Sequence, residues 1–332
     1  MAKRKAKIGV VISTELAPRL FLPEVRARLE KLGEVRWATS PRSPSEADAI
    51  VLLADCDVGM GSWGTPCPNS AAFLDALPAL RLWVHVAGSV RHILGPHLVG
   101  RKVTIASCKT AIADVVAEFT LGEILLGLHR VFENAVANRA AQAGWPTHMR
   151  SLYGTTIGVI GASEVGRRVM AMLKPFPCKI VLFDPYVTDA QAKRLGAERV
   201  TDLVELCRRS DLVTLHAPAL PKTAKMLGAR EFQAMRDSTV FINTARSMIT
   251  DQDALIAELA KGRLFALIDV TEPEPVPVDS PLRKLPNVVL TSHIAGAPFF
   301  NVGAEAVDDV ALFLKGKKPR CIQTPDMVDN IG

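Results

Sequence analysis

Short apolar runs alternate with amphipathic segments along almost the whole chain. Most of these runs are nearly continuously apolar and rich in β-branched residues, which is typical of strands buried on both faces of a parallel sheet. They predict strands at residues 8–12, 49–54, 80–86, 103–106, 156–160, 179–183, 212–215, 240–243, 265–270 and 288–290. Repeated strand–helix units imply right-handed crossovers and an α/β architecture.

Helical signals fill the segments between the predicted strands. A helix is predicted from Pro23 to Leu32, because proline suits a first turn and Gly33 follows the last apolar position. The longest helical stretch covers residues 112–143, before Gly144-Trp145-Pro146. A helix of that length is expected to bridge two domains or to carry a subunit interface.

Composition and charge narrow the class of protein. The 332 residues predict about two domains, at roughly 150 residues per domain. Hydrophobic residues make up 48% and charged residues 22%, which excludes a mostly disordered or collagen-like chain. The formal charge of +6 is small for this length, and the most concentrated basic run (Lys3, Arg4, Lys5 and Lys7) is expected to be a solvated tail that binds no nucleic acid.

The cysteine pattern and the apolar runs predict the compartment. Six cysteines are scattered without a C-x-x-C pair, so neither a metal site nor a thioredoxin-type redox centre is expected. The apolar run at residues 8–12 is too short for a signal peptide, and no run approaches the length of a membrane span. The sequence therefore predicts a reduced, cytoplasmic protein without membrane contact.

A phosphate-binding turn is predicted after the strand at residues 156–160. The segment Gly161-Ala162-Ser163-Glu164-Val165-Gly166 follows that strand and opens a helix, whose first N–H groups and dipole suit a dinucleotide pyrophosphate. The common pattern is G-x-G-x-x-G, and Ser163 replaces its second glycine. A hydrolase with G-x-S-x-G is excluded, because Val165 stands where that motif requires glycine.

An acidic residue at the end of the next strand supports a nucleotide site. Asp184 follows Gly161 by 23 residues, close to the spacing of ~20 expected for a carboxylate that binds the adenosine ribose. A carboxylate there repels a 2′-phosphate, and no arginine follows immediately. The spacing therefore predicts NAD, and favours it over NADP.

Three residues that could move a proton and hold a carboxylate follow later strands. Arg246, Glu274 and His293 lie just after the predicted strands at 240–243, 265–270 and 288–290. The carboxyl ends of strands are where a doubly wound sheet collects its catalytic groups. A guanidinium fits a carboxylate with two parallel hydrogen bonds, and a carboxylate beside histidine favours the protonated imidazole that donates a proton to a developing alkoxide.

Together these motifs resemble the D-isomer-specific 2-hydroxyacid dehydrogenases, a family that includes phosphoglycerate dehydrogenases and glyoxylate/hydroxypyruvate reductases. The resemblance covers nearly the whole chain. Its matching segments are Ala87-Gly88-Ser89, Val116-Ala117-Glu118, Gly144-Trp145, residues 161–166, Asp184, His216-Ala217-Pro218, Asn243-Thr244-Ala245-Arg246, Asp269-Val270, Glu274-Pro275 and His293-Ile294-Ala295-Gly296. Formate dehydrogenases are less similar, because they carry glutamine at the position of Glu274.

The resemblance implies a role for each matching residue. Arg246 would bind the substrate carboxylate and carbonyl, His293 would be the acid/base, and Glu274 would pair with His293. The backbone around Gly88 and Ser89 would bind the carboxylate. The implied NAD-binding residues are Gly161, Ser163, Glu164, Val165, Gly166, Asp184, His216, Ala217, Thr244 and Asp269, the last of which would orient the nicotinamide carboxamide.

The resemblance also implies the fold and the assembly. A Rossmann NAD-binding domain (residues 113–299) would be inserted into a flavodoxin-like substrate domain (residues 1–112), to which residues 300–332 would return. Both would be doubly wound parallel sheets, and the protein would be a homodimer. The implied activity is NAD-dependent interconversion of a small D-2-hydroxy acid and its 2-keto acid.

Departures from the family pattern leave an alternative function open. Ser163 adds bulk at the pyrophosphate, and Glu164 stands where the family commonly has arginine, so both predict weaker cofactor binding. Ser247 and Ser292 replace a common glycine and proline in the two later loops. An NAD(H)-binding scaffold with little turnover, similar to the C-terminal-binding protein corepressors, is therefore the alternative to an enzyme.

Overall fold

The computed structural model describes residues 4–142 and 148–327. Within them the chain divides into two compact units. Unit 1 contains the residues up to Ala113 together with those from Pro298 onward, and unit 2 is Asp114–Ala297. The predicted motif Gly144-Trp145 and the basic Lys3 lie outside the described residues.

Strands and helices alternate along the chain. Up to residue 142 the elements are β1 (Ala6–Val10), α1 (Ala17–Leu20), α2 (Pro23–Glu30), β2 (Gly33–Trp37), α3 (Glu46–Leu53), β3 (Val58–Gly61), α4 (Ala71–Asp75), β4 (Leu82–His85), β5 (Thr104–Ser107), α5 (Lys109–Leu128) and α6 (Val131–Arg139). From residue 148 they are β6 (Thr156–Ile160), α7 (Glu164–Leu173), β7 (Lys179–Phe183), α8 (Asp189–Leu195), β8 (Glu198–Val200), α9 (Leu203–Arg209), β9 (Leu212–Leu215), α10 (Ala229–Ala234), β10 (Val240–Asn243), α11 (Gln252–Leu259), β11 (Phe265–Ile268), β12 (Val288–Leu290), α12 (Phe300–Leu314) and β13 (Ile322–Gln323).

The two sheets are both of the doubly wound type. Unit 1 has the strand order β13-β5-β4-β3-β1-β2, in which only β13 runs antiparallel to its neighbour. Its five parallel strands therefore have the flavodoxin-like order. Unit 2 has the order β12-β11-β10-β9-β6-β7-β8, with every neighbouring pair parallel, and its first six strands have the Rossmann order. The predicted fold class is confirmed.

The strand predicted at residues 49–54 is wrong, because that segment is the end of α3. Ser45 caps this helix by accepting a hydrogen bond from the Asp48 N–H at 3.2 Å, and Glu46 adds an acidic group to the first turn. The neighbouring strand β3 is absent from the prediction since it contains two glycines. A Cβ at Gly61 would lie 2.4 Å from the Trp83 ring, so this side chain of β4 fills the space beside the glycine.

The single helix predicted over residues 112–143 is also wrong, because the chain breaks between α5 and α6. Arg130 stands at the break with φ of 54°, in the left-handed region that ends helices. Its buried guanidinium donates a hydrogen bond to the Ser238 carbonyl at 2.7 Å and lies 4.8 Å from the centre of the Phe265 ring. Tertiary contacts of one side chain thus override the local helical signal.

Two residues of the basic run near the N-terminus, Arg4 and Lys7, are paired with acids. Arg4 donates two hydrogen bonds to the Asp57 carboxylate, at 2.9 and 3.0 Å, and Lys7 forms an ion pair with Asp55. These pairs neutralise part of the positive charge that a nucleic acid would need. Within residues 4–142 and 148–327, no helix combines the length and the apolar character needed to cross a bilayer, and no cluster of three metal-binding side chains occurs.

Candidate active site

Two glycines shape the turn between β6 and α7. Gly161 has φ of +94°, and a Cβ on it would lie 2.7 Å from the Ala217 nitrogen. A Cβ on Gly166 would lie 2.1 Å from the Gly161 carbonyl oxygen. Neither position has room for a side chain, so the turn brings the first N–H groups of α7 close to the end of β6. This arrangement suits a pyrophosphate at a helix N-terminus.

Ser163 is the N-cap of α7, and its backbone does not adopt the positive φ that favours glycine. Its φ is −65°, and its hydroxyl oxygen accepts a hydrogen bond from the Gly166 N–H at 3.3 Å. The neighbouring Glu164 is exposed and forms an ion pair with Arg168 at 2.6 Å, while Arg168 also pairs with Asp114. The acidic charge at residue 164 therefore has a cation beside it, which reduces the repulsion of a phosphate.

We expect Ser163→Gly to tighten NAD binding severalfold. The change removes a hydroxymethyl group from the turn, while the loss of the serine cap costs only a few tenths of a kcal/mol when glycine replaces it. Isothermal titration calorimetry with NAD measures the effect. Ser45→Gly, which alters the serine cap of α3 in unit 1, is the matched control and should leave the affinity unchanged. Equal or weaker binding by Ser163→Gly would contradict the interpretation of this turn.

Asp184 ties the end of β7 to the same turn. Its Oδ2 accepts a hydrogen bond from the Ala162 N–H and its Oδ1 accepts one from the Tyr186 N–H, both at 2.8 Å. Each carboxylate oxygen has a second lone pair, so the group can still accept from ribose hydroxyls. The glycine turn, the helix N-terminus and this carboxylate together fit the phosphates and the adenosine ribose of NAD.

His216 and Ala217 pack against the turn from the end of β9. The His216 side chain is buried, and burial lowers its pKa to about 3, so the ring is neutral. Its Nε2 shares a hydrogen bond with the Thr214 hydroxyl at 3.0 Å. Ala217 is the residue that excludes a Cβ at Gly161. The structure thus places both residues beside the turn, and their contact with a cofactor stays a prediction.

The loop after β10 presents Arg246. Asn243, buried at the end of the strand, accepts from the Ala245 N–H at 3.0 Å and donates to the Arg246 carbonyl at 3.3 Å. Thr244 is held through its hydroxyl, which lies 3.0 Å from that of Thr120 on α5. Arg246 itself is exposed. Partial desolvation by the surrounding protein lowers the pKa of its guanidinium, and the nearby charge of Glu274 opposes that shift.

Glu274 and His293 are in direct contact. The Nδ1 of His293 lies 2.9 Å from the Oε2 of Glu274, and the other carboxylate oxygen accepts from the Thr271 N–H at 3.2 Å. Because a carboxylate only accepts, Nδ1 carries the hydrogen of this bond, and Nε2 is left to face a substrate. The side chains are 45% and 40% exposed, so both are accessible to a small molecule. Arg246, Glu274 and His293 are thus brought together in one unit.

Asp269 holds the backbone on which His293 sits. His293 has φ of +55°, an uncommon conformation for a residue with a side chain. The Asp269 carbonyl accepts from the His293 N–H at 2.8 Å, and its buried carboxylate accepts from the N–H groups of Ile294 and Ala295, both at 2.8 Å, and from the Thr291 hydroxyl at 2.5 Å. This network stabilises the strained position of the histidine.

Gly88 and Ser89 belong to unit 1, in the loop that follows β4. This loop is joined to the end of β3, because Val86 donates from its N–H to the Gly61 carbonyl at 2.7 Å and accepts from the Ser62 hydroxyl at 2.9 Å. A Cβ on Gly88 would meet only ordinary contacts, 3.8 Å or more from Ile112. The binding of a carboxylate by this loop stays a prediction.

Sequence reasoning missed the positioning roles of Asn243 and Thr120 and the burial of Glu123. The positioning hydrogen bonds of Asn243 are typical of a short polar side chain at a strand end, so its place in the motif was a usable signal. The contact of Thr120 with the loop of Arg246 has no local signature. Glu123, whose buried carboxyl lies on the same helix α5, has no local sequence signature either.

Comparisons with known proteins indicate the family of this chain. Residues 123–295 match the family model described as D-isomer specific 2-hydroxyacid dehydrogenase, NAD binding domain. The chain is 31% identical to a D-3-phosphoglycerate dehydrogenase of Methanocaldococcus jannaschii over 80% of its own length, which is half the length of that relative. It is 32% identical to glyoxylate/hydroxypyruvate reductase B of Escherichia coli, over 87% of this chain and 90% of that one.

A solved structure gives the same result for the fold. The crystal structure of a phosphoglycerate oxidoreductase from Rhizobium etli is similar with a TM-score of 0.80 and 27% sequence identity. The similarity covers 98% of this chain and 100% of the other. Both units therefore have counterparts in one known protein.

Proposed function

The chain belongs to the D-isomer specific 2-hydroxyacid dehydrogenase family, and from this membership we propose that Arg246, Glu274 and His293 are its catalytic residues. The protein is an NAD-dependent oxidoreductase that interconverts a D-2-hydroxy acid and its 2-keto acid. The observation that carries the assignment of residues is the 2.9 Å hydrogen bond between Glu274 and His293, with the charge of Glu274 also acting on Arg246.

Arg246 binds the substrate. Its guanidinium is planar and permanently charged, and its paired N–H donors match the two oxygens of a carboxylate. A donor directed at the adjacent carbonyl oxygen also stabilises the negative charge that develops there. The hydrogen bonds of Asn243 hold the loop backbone, so the main chain of Arg246, from which the guanidinium extends, has a fixed position.

His293 supplies the proton in the reducing direction. Glu274 holds the ring through Nδ1, so the proton leaves from Nε2 to the carbonyl oxygen of the keto acid. A bound NADH would supply the hydride that the carbonyl carbon accepts, and would leave as NAD⁺. The carbonyl thus becomes a hydroxyl, with one proton from His293 and one hydride. In the oxidising direction neutral His293 accepts the hydroxyl proton.

The cofactor-binding residues proposed for this reaction surround the end of β6. The N-terminus of α7 takes the pyrophosphate and Asp184 takes the ribose hydroxyls. His216, Ala217 and Thr244 border the same edge of the sheet. The carboxylate of Asp184 opposes a 2′-phosphate, which favours NAD over NADP.

A panel of keto acids tests the proposed function. We follow NADH absorbance with glyoxylate, hydroxypyruvate, pyruvate and phenylpyruvate. Turnover of at least one of them is expected, and turnover of none would refute the proposal. The alternative of an NAD(H)-binding scaffold is not supported, since the relatives reported above are named as dehydrogenases and reductases.

We propose that the enzyme is a homodimer formed through unit 2. Large apolar side chains are exposed on α5 and α6, among them Leu126 (41%), Val131 (41%) and Val136 (65%), and no side chain described in α6 is buried. Exposed apolar side chains on two successive helices support an interaction surface there.

Light scattering on the purified protein should give twice the chain mass of 35.9 kDa. Val136→Glu should shift the mass toward one chain, because it places a charge on the proposed interface. Val51→Glu, at a valine of unit 1 that is 75% exposed, is the control and should remain dimeric. A monomeric wild-type protein would contradict the proposal.

We also propose a cytoplasmic location. The cysteines are all free, and five of the six are buried, which agrees with a protein kept reduced. Cell fractionation tests this location, and recovery of the protein with secreted material would contradict it.

A further inference from the structure

A buried carboxyl group beside the site has no use in the reaction described above. Glu123 on α5 is only 5% exposed. Its Oε2 is buried and has no hydrogen-bond partner among residues 4–142 and 148–327. A buried polar atom without a partner carries a desolvation cost, which the protein recovers only if a ligand or another group provides the missing hydrogen bond.

The neighbours of Glu123 on its helix place it over the unit 2 sheet, within one helical turn of a residue at the carboxyl edge. Thr120, Glu123 and Gly127 share one face of α5, since residues three, four and seven apart lie on the same side of a helix. The Thr120 hydroxyl contacts Thr244, just after β10. A Cβ on Gly127 would lie 3.0 Å from the Leu267 side chain of β11 and 3.2 Å from that of Val240, the first residue of β10. Glu123 stands between these two contacts.

The charge that acts on Glu123 is that of Asp269, the residue that follows β11. Burial, and secondly the negative charge of Asp269, raise the pKa of Glu123 to about 8. Arg246 follows β10 and His293 follows β12, but Arg246 is exposed and His293 is paired with Glu274. At neutral pH Glu123 is therefore mostly an uncharged acid, which has one hydrogen-bond donor and one acceptor.

The Asp269 carboxylate is already occupied to a large extent. Three donors of residues 291–295 use it, out of about four positions that a carboxylate offers. A primary amide has two N–H donors and one acceptor. Asp269 can therefore accept from one N–H of a nicotinamide carboxamide. A second polar group is needed to accept from the other N–H and to donate to the carbonyl oxygen.

We propose that Glu123 is a cofactor-binding residue, which holds the nicotinamide carboxamide together with Asp269. As an uncharged acid, it complements a primary amide, because each partner presents one donor and one acceptor to the other. Glu123 then contributes to the orientation of the ring and to the discrimination between a carboxamide and other substituents. This inference rests on the proposed place of Asp269 beside the cofactor.

The test compares NAD with 3-acetylpyridine adenine dinucleotide, in which a methyl group replaces the amino group of the carboxamide. Calorimetry at pH 7 gives the Kd of each dinucleotide, and their ratio is the preference for NAD. We expect Glu123→Leu to lower this preference roughly tenfold, because leucine fills the space without a polar atom. Glu123→Gln should keep the preference within about twofold of wild type, since its amide also has a donor and an acceptor.

Controls separate the inference from the proposed function. Glu118→Leu, at an exposed position of α5, should leave the preference unchanged. Glu123→Met serves as a second apolar variant if Glu123→Leu does not fold. An unchanged preference in a folded apolar variant that binds NAD would overturn the inference and leave the enzyme assignment intact. A wild-type protein that binds neither dinucleotide would refute the proposed function itself.

Discussion

The variant His293→Asn is expected to lose keto-acid reduction by about two to four orders of magnitude in kcat, the usual contribution of a general acid. Asparagine is suited to the backbone at this position, because it tolerates the left-handed φ of +55° better than most residues. The loss should therefore come from chemistry and not from the loop. Fluorescence titration should show that the variant binds NADH with nearly the wild-type Kd.

A second histidine provides the matched control for this experiment. His97 lies in unit 1, and its Nε2 is 3.0 Å from the Pro68 carbonyl oxygen. His97→Asn should retain nearly full activity. If His293→Asn kept more than about a tenth of the wild-type kcat, His293 would not be the proton donor, because a general acid contributes at least about a hundredfold.

Much of the unit 2 sheet is predictable from the sequence because most of its strands are buried on both faces. The predicted strands at 156–160, 179–183, 212–215, 240–243 and 288–290 are confirmed residue for residue. A strand between two helical layers has apolar residues on both faces, and its pattern needs no knowledge of its neighbours. The residues proposed for catalysis follow such strands, so their proximity could be expected from topology alone.

Features that depend on distant contacts could not be predicted. Strand β3 has a weak sequence signal because it contains Gly59 and Gly61. The space beside these glycines is filled by the ring of Trp83 on β4. Arg130 ends a helix through contacts with residues more than a hundred positions away. Within the site, the position of Glu123 over the unit 2 sheet and the hydrogen bonds of Asp269 exist only in the folded chain. The segment that carries His293 is therefore recognisable as a motif, while the network that holds it is not.

Variants of Arg246 are expected to lower kcat/KM strongly, because Arg246 binds the substrate carboxylate. Each hydrogen bond to a charged group contributes about 1.5–3 kcal/mol, so losing two of them in Arg246→Ala should lower kcat/KM by roughly 10²- to 10⁴-fold. Arg246→Lys keeps the positive charge but not the planar pair of donors, and should lose roughly ten- to a hundredfold. Steady-state kinetics with the best keto acid of the panel measures both changes.

The difference between these two variants shows what Arg246 contributes. If charge alone attracted the substrate, Arg246→Lys would be nearly as active as wild type, and a bidentate role would be wrong. Added guanidinium ion should restore part of the activity of Arg246→Ala, because it replaces the lost donors without a tether. Arg208→Lys, at an exposed arginine paired with Glu205, is the control and should leave kcat/KM unchanged. Since Arg246 is exposed and its loop is held by Asn243, its replacement should leave the folded structure intact, and NADH binding by both variants would verify this.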